Sequence, residues 1–200
     1  MMADFLSAVF EHIIITSAGV VLAAGIGIIA GIIISKRPGI ASPVLMIADI
    51  IQTIPSLALL ALLMIAFGLG NVTLIIGLCL YSLLPIIRNT FTGITGVAAS
   101  IKEASRGMGM SQLQSLIKVE IPIAMPMILS GIRIAFVTAL GTAVIGVLIG
   151  SGGLGYIIYS GIQAQDWGMI LEGTLPVVFL SLLAQFIFNK FNKKRGSMNV

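Results

Sequence analysis

The chain has 200 residues, 58% of them hydrophobic and 9% charged, with a net charge of +4. Soluble domains carry about 25% charged residues, so a water-soluble globule is excluded in favour of a membrane-embedded chain. One Cys and one His exclude an internal disulfide framework and a Cys/His metal cluster, so no metal site is expected.

Five stretches approach the roughly 20 apolar residues that cross a bilayer as a helix. The first, Ile13–Ile34, has no basic segment ahead of it. It is therefore expected to stay in the membrane rather than be cleaved as a signal peptide. His12, at its outer end, is expected to be an interfacial polar residue. Ser35-Lys36-Arg37-Pro38 then stops the run and turns the chain. The second span, Val44–Phe67, contains Pro55, which a membrane helix tolerates as a kink. Gly68-Leu69-Gly70-Asn71 makes a tight, uncharged turn into the third, Val72–Ile87, which is short and borrows flanking residues. Cys79 within it reads as a small buried hydrophobe. A long polar connection follows, Arg88 to Pro122, then the fourth span, Ala124–Ile149. A Gly-rich segment ending in Asp166-Trp167 leads to the fifth, Met169–Phe188, and a basic tail over 189–200 closes the chain.

The basic residues orient these spans. With the amino terminus outside and five crossings, every one of the 11 Lys and Arg except Arg133 falls on the inner side. Asp4, Glu11, Asp166 and Glu172 fall towards the outer side, and Trp167 lies where an outer interfacial aromatic belongs. This satisfies the positive-inside rule. The expected fold is an all-α, polytopic membrane protein with its amino terminus out and carboxyl terminus in. Residues 1–200 form a single transmembrane domain.

The connection over 98–122 is too polar to span and too patterned to be a linker. A short helix is expected to end near Gly107 or Gly109. Ser111 starts a second, with Gln114 three residues on as its capping-box partner. Leu113, Leu116 and Ile117 share a face of that helix, and Pro122 blocks its continuation and marks the return to the membrane. From the pattern alone, a solvated surface loop and a docking element remain equally open.

Glu103-Ala104-Ser105, three residues, Gly109, nine residues and Val119-Glu120-Ile121-Pro122 resemble the EAA loop of ABC importer permeases. That loop reads Glu-Ala-Ala, three residues, Gly, nine residues, Ile-x-Leu-Pro. Ser105, Val119 and Ile121 are small or conservative departures, and the spacing is kept. The resemblance implies a type I ABC importer permease fold and a loop that docks on a separate ATP-binding subunit. The small Ala104, Ser105 and Gly109 would permit close approach, and Glu103 would face polar groups of that partner. The competing reading of Glu103 is an ordinary helix-surface pair with Lys102 or Arg106, which contributes only a few tenths of a kcal/mol.

No G-x-x-x-x-G-K-[ST] occurs, so this chain has no phosphate cradle of its own. The resemblance therefore places ATP and Mg on the partner, with no cofactor bound by this chain. Gly150-Ser-Gly152-Gly-Leu-Gly155 matches G-x-G-x-x-G literally, but no βαβ unit surrounds it. Gly152 and Gly153 are read instead as a tight turn before a segment, Tyr156 to Gln163, that dips back towards the bundle. Gly-Gly-Leu-Gly resembles the same permeases, where this segment lies near the outer gate. No Ser/His/Asp set or paired carboxylates are evident, so no catalytic residue is assigned and enzymatic activity is not expected.

Charges inside a bilayer cost a few kcal/mol or more. Asp49 and Arg133 lie about 8 and 14 Å into their spans at 1.5 Å per residue. The expectation is an ion pair between them, structural or gating, with Arg133 snorkelling to the inner surface as the alternative. Gln52, Thr53, Pro55 and Ser56 form a polar kink read either as a packing device or as pathway lining. Ile51-Gln-Thr-Ile-Pro-Ser-Leu-Ala58 and Tyr81-Ser-Leu-Leu-Pro-Ile-Ile-Arg-Asn-Thr90 resemble the glycine betaine/carnitine/choline branch of these permeases. The resemblance covers roughly residues 10–188. It implies two permease subunits, homo- or heterodimeric, two ATPase subunits and an extracytoplasmic solute-binding protein, all working in lipid and without nucleic acid. A permease for methionine or another small solute is the alternative within the class. A secondary transporter or channel is the alternative outside it, disfavoured by an odd span count and no internal repeat.

Overall fold

The computed structural model describes residues 2–196, which form helices joined by short turns, with no strand among them. Residues 197–200 of the basic tail lie outside the described residues. The first span extends well beyond its apolar run, as α1 (Met2–Lys36). The third likewise continues past its basic flank to form α4 (Asn71–Thr95). Among the described residues, four helical stretches are long and apolar enough to cross a membrane: Asp4–Lys36, Asn71–Thr95, Gln112–Ile149 and Trp167–Lys190.

The second expected span is not one kinked helix. It is two helices, α2 (Pro38–Thr53) and α3 (Ser56–Phe67), meeting at 97°. The cause is local. A residue before proline is pushed out of the helical region, and Ile54 is extended at φ −67°, ψ 127°. Pro55 follows at φ −54°, ψ 133°. Two successive extended residues turn a tolerated kink into a corner. Counting this bent pair as one crossing gives five.

α4 is the centre of the bundle, with α1 and α7 (Ile121–Ala143) on either side. Small residues set the spacing, as in membrane helices generally. A Cβ on Gly31 of α1 would lie 2.6 Å from Thr90 Cβ, and one on Gly131 of α7 would lie 2.7 Å from the Pro85 carbonyl. Between them Ile15, Ala23, Leu74, Leu78, Ile86, Ala135 and Ala139 form the main apolar core. Cys79 is buried in this core, as its apolar setting implied.

After α4 come α5 (Ala99–Gly107) and the one-turn α6 (Gln112–Ser115). Pro122 does not block continuation. A π turn over Leu116–Glu120 leads from α6 straight into α7, where Pro122 occupies the first turn. In the first turn a missing N–H leaves fewer helical bonds unmade. A 3₁₀ stretch, Val144–Ile149, ends at Gly150, and α8 (Leu154–Ala164) follows. α8 packs on α9 (Trp167–Gly196), which also lies against α7.

Candidate functional site

The loop end of the bundle is organised around one buried carboxylate. The π turn aims Glu120 inwards, where its side chain keeps 5% of its exposure. Both oxygens accept from Lys36 Nζ at 2.7 Å, and Lys102 Nζ stands 4.0 Å away. Lys36 ends α1 and Lys102 belongs to α5, so one side chain ties three elements together. Lys102 also donates to the carbonyl of Ile94, near the end of α4.

Within the loop, Ser111 and Gln114 form the expected capping box. Ser111 Oγ accepts from the Gln114 N–H, and the Ser111 N–H donates to Gln114 Oε1 at 2.9 Å. Gly109 has φ +79°, a left-handed conformation that side chains with a Cβ resist, and it turns α5 into α6. Ser105 was expected on the docking face, but it points the other way. It is buried and shares a 2.7 Å hydrogen bond with Ser115 Oγ, joining α5 to the end of α6. Its hydroxyl thus bonds in a position where the Ala of the resembled pattern could not. Glu103 and Ala104 are exposed, and Glu103 makes no ion pair with Lys102 or Arg106. Ile101, Met108, Leu113 and Ile117 are exposed apolar residues on the same loop. Leu116, expected to share their face, is buried against the bundle.

A second constellation surrounds the corner between α2 and α3. Pro85 in α4 has no N–H, so the carbonyl of Tyr81 loses its helical donor. Gln52 of α2 supplies a replacement, donating from Nε2 to that oxygen at 2.8 Å. In return the Tyr81 hydroxyl donates to the carbonyl of Ile54, at the corner itself. Pro85 thus frees the acceptor that Gln52 caps, while the corner at Pro55 presents the Ile54 carbonyl to Tyr81. Thr53 bonds within its own helix, to Ile50. Beside this latch lies a cavity of about 330 Å³, with Gln52, Tyr81, Ser82, Arg88, Asn89, Thr138 and Thr142 among its polar lining.

Asp49 and Arg133 do not pair. Asp49 accepts from Arg88 Nη2 at 2.7 and 2.8 Å. Arg133 donates to Asn189 Oδ1 on α9 and to Ser130 Oγ. Both residues were placed at plausible depths, but depth leaves the rotation of each helix open. α2 packs against α4, whereas Arg133 is directed to α9.

The far end of the bundle is pinned by Glu11, Asn71 and the Gly-rich turn. Asn71 Nδ2 donates to Glu11 Oε1 at 2.8 Å, and Glu11 Oε2 accepts from the Gly153 N–H at 3.0 Å. Asn71 Oδ1 accepts from Ser151 Oγ and the Gly152 N–H. A Cβ on Gly152 would strike the Glu11 carboxylate, so this turn needs its glycine for close approach rather than for any phosphate. His12, expected at an interface, is buried within the protein beside this turn, with Nε2 3.0 Å from the Leu140 carbonyl. Reasoning from sequence missed Glu120, Arg88, Tyr81 and Glu11 as site residues. Only Glu120 carried a usable signal, a carboxylate inside the Val-Glu-Ile-Pro run.

Long apolar helices around a cavity with polar side chains in its wall, with an exposed helical pair at one end, mark a membrane-embedded protein. Residues 23–196 match the family of binding-protein-dependent transport system inner membrane components. The chain belongs to this family, the permease subunits of ABC importers. It is 44% identical over 179 residues to the carnitine transport permease protein OpuCD of Listeria monocytogenes, covering 89% of this chain and 80% of that one. It is 40% identical over 196 residues to the glycine betaine/carnitine/choline transport system permease protein OpuCD of Bacillus subtilis, covering 94% and 86%. Among solved structures, inward-facing MetNI methionine ABC transporter superposes with a TM-score of 0.87 at 24% identity, covering 98% of this chain and 97% of that one.

Proposed function

We propose that this permease imports a quaternary-ammonium solute of the glycine betaine, carnitine or choline type. The supporting observation is the likeness to permeases named for those solutes over 89 to 94% of the chain. In this reading the cavity beside Gln52, Tyr81 and Thr138 is one subunit's share of the pathway, and a second permease subunit completes it. The amino terminus is outside, and the α5–α6 end faces the cytoplasm. An extracytoplasmic binding protein delivers the solute at the opposite end, beside the Glu11–Gly153 turn.

A separate ATPase, in two copies and holding ATP and Mg, docks on α5 and α6. Its contact surface is Glu103, Ala104 and the exposed Ile101, Met108, Leu113 and Ile117. Closure of the ATPases moves the loops, and the Glu120–Lys36 tie conveys that movement to α1. The latch between Gln52 and Tyr81 keeps the α2–α3 corner moving with α4.

The test is uptake of labelled glycine betaine, carnitine and choline into proteoliposomes holding permease, ATPase and binding protein. ATP-dependent accumulation of at least one is expected, and Gly109→Asp should abolish both uptake and ATPase co-purification. Unchanged co-purification and uptake in Gly109→Asp would overturn the docking role. Accumulation of methionine but none of the three would overturn the substrate class.

A further inference from the structure

The Asp49–Arg88 pair is unusual in its setting. Its two side chains keep 46% and 51% of their exposure, and exposed pairs in water contribute little to stability. Yet Arg88 stands on α4, one of the helices apolar enough to cross a membrane, where an isolated charge costs several kcal/mol. Packing gives no reason for a half-exposed guanidinium at this place, but its surroundings do. Arg88 lines the cavity that also holds Gln52, Tyr81, Asn89 and Thr138. It equally lines the neighbouring hollow with Asp49 and Thr53. Both carboxylate oxygens sit on a single nitrogen, Nη2. The pair therefore forms part of the wall between two hollows rather than a bond buried in a core.

A bare guanidinium on a translocation wall repels any cation that passes it, and in a confined site this repulsion exceeds its value in bulk water. The three solutes under Proposed function differ in this respect. Choline bears one positive charge, whereas glycine betaine and carnitine are zwitterions of zero net charge at neutral pH. We propose that Asp49 neutralises Arg88 to level the electrostatic potential along the pathway wall, so that a quaternary-ammonium cation passes as readily as a zwitterion. Asp49 and Arg88 are in this sense a specificity-determining pair. The inference rests on the reading of the cavity as the pathway.

The charge sign makes the test selective. In the assembled permease–ATPase complex, Cys79→Ala removes the native thiol and Thr138→Cys places one on the cavity wall. The Thr138 hydroxyl bonds only within its own helix, so this change leaves the helix packing intact. The probes are a trimethylammonium thiosulfonate and a sulfonate-bearing thiosulfonate, and the reading is the ratio of their modification rates. Asp49→Asn should lower the cation-to-anion ratio by about fourfold, the effect of one charge acting with opposite sign on the two probes across roughly 10 Å in a water-like dielectric. Arg88→Gln should raise it by a similar factor, and the double variant should return to within about twofold of the parent.

In uptake, the choline-to-betaine ratio should move in the same directions. Where Asp49→Asn fails to assemble, the sign of the Arg88→Gln change decides alone. A ratio that is unchanged, or shifted the same way in both single variants, overturns the inference while leaving the pathway standing. A purely structural pair would give that result, lowering both solutes together. A cysteine at 138 that neither reagent reaches overturns the pathway reading and this inference with it.

Discussion

The tie between the π turn before α7 and α1 makes an asymmetric prediction. Removing Lys36 and neutralising Glu120 break the same contact, but what remains differs. In Lys36→Met the carboxylate stays buried, with its side chain 5% exposed and Lys102 4.0 Å away as its remaining cation. Stranding a buried charge costs about 3–5 kcal/mol when nothing compensates. Lys102 is close enough to recover part of this, so about 2–3 kcal/mol is expected. In Glu120→Gln the stranded group is Lys36, whose side chain is 41% exposed and can turn to water. The cost falls to that of a charge-assisted hydrogen bond discounted for solvent, about 1 kcal/mol. The double variant leaves no buried charge and should be more stable than Lys36→Met alone. Thermal unfolding of the purified permease in detergent measures all three, and ATPase rate per solute imported measures coupling. Lys36→Met should hydrolyse more ATP per solute than Glu120→Gln. Equal losses in the single variants that add in the double would refute the reasoning, because independent sites add and coupled ones do not.

Further outcomes follow from the packing and hydrogen bonds of single residues. Gln52→Glu should destabilise more than Gln52→Leu, since it sets a second acceptor against the Tyr81 carbonyl; Leu only removes a partially hydrated bond, at about 1 kcal/mol. Gly31→Val should separate α1 from α4 and cost about 1–3 kcal/mol or more, because its Cβ meets Thr90 Cβ at 2.6 Å and the Ile87 carbonyl at 3.0 Å. Gly25→Ala, with open space around it, should be neutral or stabilising in the same unfolding assay. Ser105→Val should orphan the Ser115 hydroxyl and cost about 1–3 kcal/mol, lowering ATPase co-purification by loosening α5 from α6; retained binding and stability would count against that joint.

Much of this protein is decided within short windows of its own sequence. Apolar runs as long as a bilayer is thick marked the spans, because every backbone polar group in lipid must bond inside its own helix. The Ser111–Gln114 capping box and the turn at Gly109 were equally legible, since both depend on groups three or four residues apart. What tertiary structure decided is which distant groups meet. Asp49 pairs with Arg88 rather than Arg133, because helix rotation and the choice of neighbour are set by packing, through close approaches such as Gly31 on Thr90 and Gly131 on Pro85. Pro55 reads locally as a kink. It becomes a 97° corner where Tyr81 of α4 caps the Ile54 carbonyl, and Gln52 finds its partner only because Pro85, 33 positions further on, leaves a carbonyl open. Glu120 gains its meaning from two lysines 84 and 18 positions away, a separation that no local pattern encodes.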